Sequence, residues 1–128
     1  MANELKKVST TSAPAAIGPY SQAIIFGNMV FTSGQIPINP ASGNIEVSTI
    51  EEQTEQVMKN LGAVLKQAGS DYDKAIKTTC FLANISDFAA FNGVYAKYFT
   101  QKPARSCVAV KDLPKGALVE VEVIATID

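Results

Sequence analysis

The segment Val119-Glu120-Val121-Glu122-Val123-Ile124 reads as a strand with two unlike faces. Side chains alternate sides along a strand, so the three valines share one face and the two glutamates the other. The valine face needs an apolar layer against it. On the segment before it, Ser106, Val108 and Val110 alternate with Arg105, Cys107 and Ala109. Putting the valines of both strands under a helical layer sends Arg105, Cys107, Glu120 and Glu122 together to the opposite face. Helices that cover one face of such a sheet leave the other to water or to another subunit.

Working outward from that strand, two patterns supply the helices. Val57, Leu61, Val64, Leu65 and Ala68 fall at i, i+4, i+7, i+8 and i+11, one apolar stripe of an amphipathic helix. Ser48 and Glu51 have capping-box spacing at its start, and Gly69 closes its end. Ser86-Asp87 caps a second helix bearing Phe88, Phe91, Val94, Tyr95 and Tyr98, and Pro103 ends that element. Residues 75–84 are β-branched and aromatic enough for a strand. Ala23–Phe26 and Met29–Ser33, separated by Gly27-Asn28, form a tight hairpin. The last strands cover about 105–111 and 118–127, joined by a turn at Pro114-Lys115-Gly116. The order is β-β-α-β-α-β-β, with a short extra strand near Leu5–Val8. The expected fold class is therefore α+β, a two-layer mixed β-sheet with two helices on one face, occupying residues 1–128 as one domain.

Composition narrows the chemistry. The chain has 128 residues, 47% hydrophobic and 18% charged, and a net charge of −1 from 11 basic and 12 acidic side chains. The charged share lies below the usual quarter or so, which fits a protein that hides surface in an oligomer. No basic block tracks a phosphate backbone, so nucleic acid is a poor partner. No apolar run reaches membrane-span length, and Met1–Ser12 resembles neither a secretory signal nor a transit peptide, so a cytoplasmic location is expected. Cys80 and Cys107 lack metal-type spacing and read as reduced thiols. The absence of histidine removes Ser-His and Cys-His nucleophile systems and argues against a zinc site. Arginine, carboxylates, hydroxyls, amides and water remain.

Residue types alone leave Arg105 and the glutamates open. They fit an ordinary exposed ion pair, or an arginine that grips a carboxylate through two parallel hydrogen bonds while a glutamate positions water. Four blocks add to this reading: Gly18-Pro19-Tyr20-Ser21-Gln22-Ala23, Thr32-Ser33-Gly34-Gln35-Ile36-Pro37, Pro103-Ala104-Arg105-Ser106-Cys107-Val108 and Val119-Glu120-Val121-Glu122-Val123-Ile124-Ala125. In order and spacing they resemble the RidA (YjgF/YER-type) family of reactive intermediate deaminases. The resemblance implies a chorismate-mutase-like fold and a homotrimer with ligand pockets between subunits. It implies hydrolysis of 2-iminopropanoate and 2-iminobutanoate, products of pyridoxal-phosphate dehydratases, to 2-oxo acids and ammonia, without a cofactor or metal. It matches Arg105 to the carboxylate-gripping arginine and Glu120 to the glutamate associated with the hydrolytic water. It matches Tyr20, Ser33, Asn92 and Cys107 to pocket positions.

Each of the lesser positions also has an ordinary reading. Tyr20 fits core, Asn92 a solvated helix position and Ser33 a turn hydroxyl. Cys107 is a small apolar pocket-liner rather than a nucleophile, since no histidine base accompanies it. The segment Thr100-Gln101-Lys102 is shorter than in many relatives, which bears on pocket size. Rival functions are a non-catalytic regulatory trimer sensing small 2-oxo or 2-amino acids, an RNA-acting translation inhibitor, and a holdase that would need an exposed apolar patch.

Overall fold

Each apolar pattern becomes an element of the computed structural model, which describes residues 4–128. The strands are β1 (Lys6–Val8), β2 (Ala23–Phe26), β3 (Met29–Thr32), β4 (Ala75–Leu82), β5 (Ala104–Ala109) and β6 (Val119–Thr126). The helices are α1 (Ile50–Gln67) and α2 (Phe88–Tyr98). The strands form one sheet in the order β1-β2-β3-β6-β4-β5. The β4–β5 pair is parallel and the other pairs are antiparallel. The α+β class with two helices on one face is what forms. Among the described residues no helix is long and apolar enough to cross a membrane.

The valine row of β6 anchors the core. Val119, Val121 and Val123 are all but fully buried, as are Val57, Leu61, Val64 and Leu65 of α1 and Phe91 of α2. Burying each such side chain is worth roughly 1.5–3 kcal/mol, so this contact outweighs any surface ion pair. The helices are tied to each other by a small polar cluster. Lys97 Nζ donates to Glu55 at 2.6 Å, and the Tyr98 hydroxyl donates to the same carboxylate. These two hydrogen bonds hold the Glu55 carboxyl below the usual carboxylate range.

Helix ends differ from expectation in detail. The α1 N-cap is Thr49, whose Oγ1 accepts from Glu52 N at 3.1 Å, so the cap lies one residue beyond Ser48–Glu51. The buried Ile50 sets this phase, because it must enter the core as the first helical residue. At the other end Gly69 adopts φ +87°, and Ser70 N donates to Leu65 O at 2.8 Å while Gly69 N donates to Lys66 O at 3.0 Å. That pair of bonds is a Schellman closure, which favours glycine at this position. Helix α2 follows a short 3-10 turn over Ile85–Asp87 and takes no side-chain cap from Asp87. It stops at Tyr98, before Pro103, and the chain turns through Lys102 at φ 55°.

A second close approach fixes how α1 meets the chain that follows it. The Tyr72 hydroxyl donates to Met58 O at 2.6 Å, and a Cβ on Gly62 would lie 2.1 Å from that hydroxyl. Gly62→Ala is therefore expected to destabilise the fold by about 1–3 kcal/mol, the range for overpacking, despite the better helix propensity of alanine. A denaturant midpoint equal to or above that of the unaltered protein would contradict this contact.

Candidate active site

The site residues expected from sequence fall into two clusters, because strand register divides them. In the parallel pair Thr78 lies opposite Arg105 and Cys80 opposite Cys107; in the antiparallel pair Thr78 lies opposite Val123 and Cys80 opposite Val121. Residues opposite one another share a face, so Arg105 and Cys107 stand on the valine side, under the helices. Glu120 and Glu122 lie opposite Phe81 and Thr79, and Phe81 and Thr79 lie opposite Val108 and Ser106. This corrects the expectation that Arg105 and Cys107 project from the glutamate face. The alternation within β5 is as expected, and its phase relative to β6 is the reverse. Val108 is 48% exposed on the open face instead of buried, because its register with Phe81 puts it in the row that carries Glu120.

The first cluster is built on β5 and α2. Arg105 Nη1 donates to Asn92 Oδ1 at 2.7 Å. Its guanidinium carbon lies 4.8 Å from the Tyr95 ring centre, 5.5 Å from that of Phe88 and 6.0 Å from that of Phe91. Among the described residues no carboxylate forms an ion pair with Arg105. An arginine bedded on aromatic faces and lacking a counter-ion keeps edge N–H groups for a planar anion. Cys107, two residues on, is half-buried, and that burial pushes its thiol up while Arg105 partly offsets the effect. A raised thiol is a poor nucleophile, which suits a lining role.

The second cluster borders a cavity of about 460 Å³ whose lining includes Tyr20, Ser33, Gly34, Ile36, Lys115 and Glu120. A β-bulge lies along it. Phe31 lies opposite Ile124, while Gln35 bridges Val121, so three residues of one strand face two of the other. Thr32 Oγ1 accepts from Val123 N at 2.9 Å and satisfies the interrupted ladder. Ser33 Oγ donates to Ser21 O at 2.5 Å, fastening the bulge to the Tyr20 loop. A Cβ at Gly34 would lie 2.5 Å from Glu120 Oε2, so a glycine lets the carboxyl rest against the bulge backbone. Desolvation of Glu120, with a smaller contribution from neighbouring Glu122, raises its pKa.

Three buried amides not expected from sequence brace this half, Gln22 and Asn60 at the cavity walls and Gln53 at the approach to β6. Gln22 Nε2 donates to Pro14 O at 2.7 Å and to Thr10 O at 3.0 Å, and Gln22 Oε1 accepts from Thr10 N at 2.7 Å. Asn60 Nδ2 donates to Ile38 O at 2.9 Å and Ile36 O at 3.2 Å. Gln53 Oε1 accepts from Leu118 N at 2.8 Å, and its Nε2 donates to Val47 O at 3.0 Å. The signal was present: Gln53, Val57, Asn60 and Val64 fall at helical core spacing, and amides in such a stripe require backbone partners. Among the described residues no three His, Cys, Asp or Glu side chains gather as the ligands of a metal would.

A mixed six-stranded sheet backed by two helices, with polar groups on the loops at its margin, defines a class of small α+β domain. The chain belongs to the RidA family within it: residues 10–127 match the family model described as endoribonuclease L-PSP. A Lactococcus lactis protein named as a regulator, AldR, is 56% identical over 124 residues, covering 96% of this chain and 98% of that one. The mouse protein named 2-iminobutanoate/2-iminopropanoate deaminase is 46% identical over 121 residues, covering 94% and 90%. A crystal structure from Entamoeba histolytica named for endoribonuclease L-PSP superposes with a TM-score of 0.93 at 56% identity, covering 96% of this chain and 99% of that one.

The charge arrangement around Glu120 makes a direct prediction. Replacing Glu122 by glutamine removes one of the two influences that raise the Glu120 pKa, so its titration midpoint should move down toward the ordinary carboxylate value. A carboxyl-carbon NMR titration reads this; a midpoint unchanged or moved up in Glu122→Gln would contradict the assignment.

Proposed function

We propose that the protein hydrolyses short 2-imino acids, taking 2-iminopropanoate and 2-iminobutanoate to pyruvate or 2-oxobutanoate plus ammonia. The observation that carries this reading is Arg105, an aromatically bedded guanidinium with no carboxylate partner among the described residues. It suits a substrate whose one fixed charge is a carboxylate. The deaminase name of the mouse relative supports the same reaction class.

Arg105 and Glu120 stand on opposite faces of one sheet, so one copy alone does not point both at a small substrate. We therefore take each site to be shared between two copies of a homotrimer, one supplying Arg105 with Asn92 and Cys107, the next supplying Glu120 with Tyr20 and Ser33. The open sheet face supports such burial, since Phe31 and Val108 are 40% and 48% exposed on it. Ile24, Phe81 and Ile124 add to the same apolar surface, by their place in the register.

The chemistry asks little of the protein. Arg105 anchors the substrate carboxylate, and the imine carbon is already electrophilic. Glu120 accepts a proton from water as the oxygen adds to that carbon, giving a tetrahedral amino alcohol. With the imine nitrogen protonated on binding, the proton held by Glu120 passes to the amino group, the C–N bond breaks with ammonia leaving, and the departing ammonia takes the hydroxyl proton to give the 2-oxo acid and ammonium. A carboxyl raised toward neutrality is better matched to this exchange than an ordinary one. Neither a cofactor nor a metal takes part in this scheme.

One observation favours a second reading, a non-catalytic trimer that senses 2-oxo or 2-amino acids: the regulator name of the Lactococcus lactis relative. The same Arg105 would serve it. An amino-acid oxidase generating the imines in place, with semicarbazide trapping what remains, separates the two. The unaltered protein should suppress trapping, and Arg105→Ala should lose about 10- to 100-fold in kcat/KM, as expected for charge-assisted hydrogen bonds. Equal activity of both proteins would remove Arg105 from the site; binding of 2-oxo acids without turnover would favour the sensor.

A further inference from the structure

Arg105 is held from behind by groups that the reaction does not touch. We infer that Tyr95 and Thr78 form a positioning pair that sets the orientation of this arginine, an inference that rests on Arg105 being the carboxylate anchor. A long arginine on an edge strand has rotamer freedom that ligand binding must otherwise suppress. The Tyr95 ring supplies the nearest of its aromatic contacts, 4.8 Å from the guanidinium carbon.

That ring is fixed at both ends. It stacks on Phe99 with centroids 4.8 Å apart and planes 30° from parallel. Its hydroxyl shares a buried hydrogen bond of 2.7 Å with Thr78 Oγ1. Thr78 is the residue of β4 directly opposite Arg105. The ring from α2 is therefore pinned to the same row of the sheet that carries the arginine. A phenylalanine would fill the core as well without a hydroxyl that needs a buried partner. The tyrosine adds a tether between helix and strand at the arginine.

Asn92 completes the arrangement. It takes one guanidinium N–H through Nη1 while three aromatic rings lie within 6.0 Å of the guanidinium carbon, which leaves other N–H groups for a planar carboxylate. Tyr95 and Thr78 act through Arg105 and touch no reacting atom. Their removal should weaken carboxylate recognition and leave the hydrolytic step intact.

The test measures binding of 2-oxobutanoate and of its neutral amide by calorimetry, together with KM and kcat for 2-iminobutanoate. Tyr95→Leu should lose about tenfold of the preference for carboxylate over amide and raise KM with kcat nearly unchanged. Tyr95→Phe and Thr78→Val, which keep the ring and the core volume, should each lose about two- to threefold of that preference. A purely structural role would weaken acid and amide equally and so leave the preference untouched, which would overturn the inference. If Tyr95→Leu does not fold, the two conservative variants decide by the same preference. If the unaltered protein binds the acid but turns over no imine, deamination fails and the pair is judged on binding alone. If it binds no acid, the inference fails.

Discussion

The register of β4 with its two neighbours is the constraint on which the rest of the molecule depends. Strand β4 sets Thr78 opposite both Arg105 and Val123, and sets Phe81 opposite both Val108 and Glu120. A slip of one residue on either side would send every side chain of the slipped strand to the other face. The buried valines of β6 forbid that slip, since it would exchange Val119, Val121 and Val123 for two glutamates under the helices. Core packing thus decides which face each functional group occupies, and it separates the arginine from the carboxylate within one chain.

The two halves are then finished by opposite devices. The arginine half is held by aromatic packing and one tether, and among the described residues no carboxylate pairs with its guanidinium. The glutamate half is built from loops, which would wander without support. Buried amides supply that support: Gln22 holds the segment at Thr10 and Pro14, Asn60 holds Ile36 and Ile38, and Gln53 holds Leu118 next to the start of β6. Each satisfies backbone groups that a loop folded against the core would otherwise leave unpaired. The carboxyl so placed sits against the Gly34 backbone, half out of water, and its raised pKa follows from that desolvation.

Much of this was legible in the residues. The period-2 valines, the helical stripe from Val57 to Ala68 and the Gly27-Asn28 turn each carry a local pattern that one element satisfies. The phase between β5 and β6 was not legible. Arg105-Ser106-Cys107-Val108 alternates equally well with either face buried, and Val108 pulled the reading inward. The register of β5 with β4, and of β4 with β6, fixes it, and that register is a property of the whole sheet. The bulge at Thr32–Gly34 and the Tyr95–Thr78 bond depend likewise on residues about 90 and 17 positions apart, beyond the reach of periodicity.

The central claim is that each site takes its arginine and its glutamate from different copies. Mixing two separately impaired proteins tests it most directly: Arg105→Ala and Glu120→Gln, dissociated together and allowed to reassemble in equal amounts. If sites are shared, about a quarter of all sites in the reassembled mixture, roughly one in three within each mixed trimer, combine an intact Arg105 with an intact Glu120, and imine hydrolysis should return to about a quarter of the unaltered rate. If mass spectrometry shows mixed assemblies but no activity returns, the groups do not complement one another between copies, and the account is wrong.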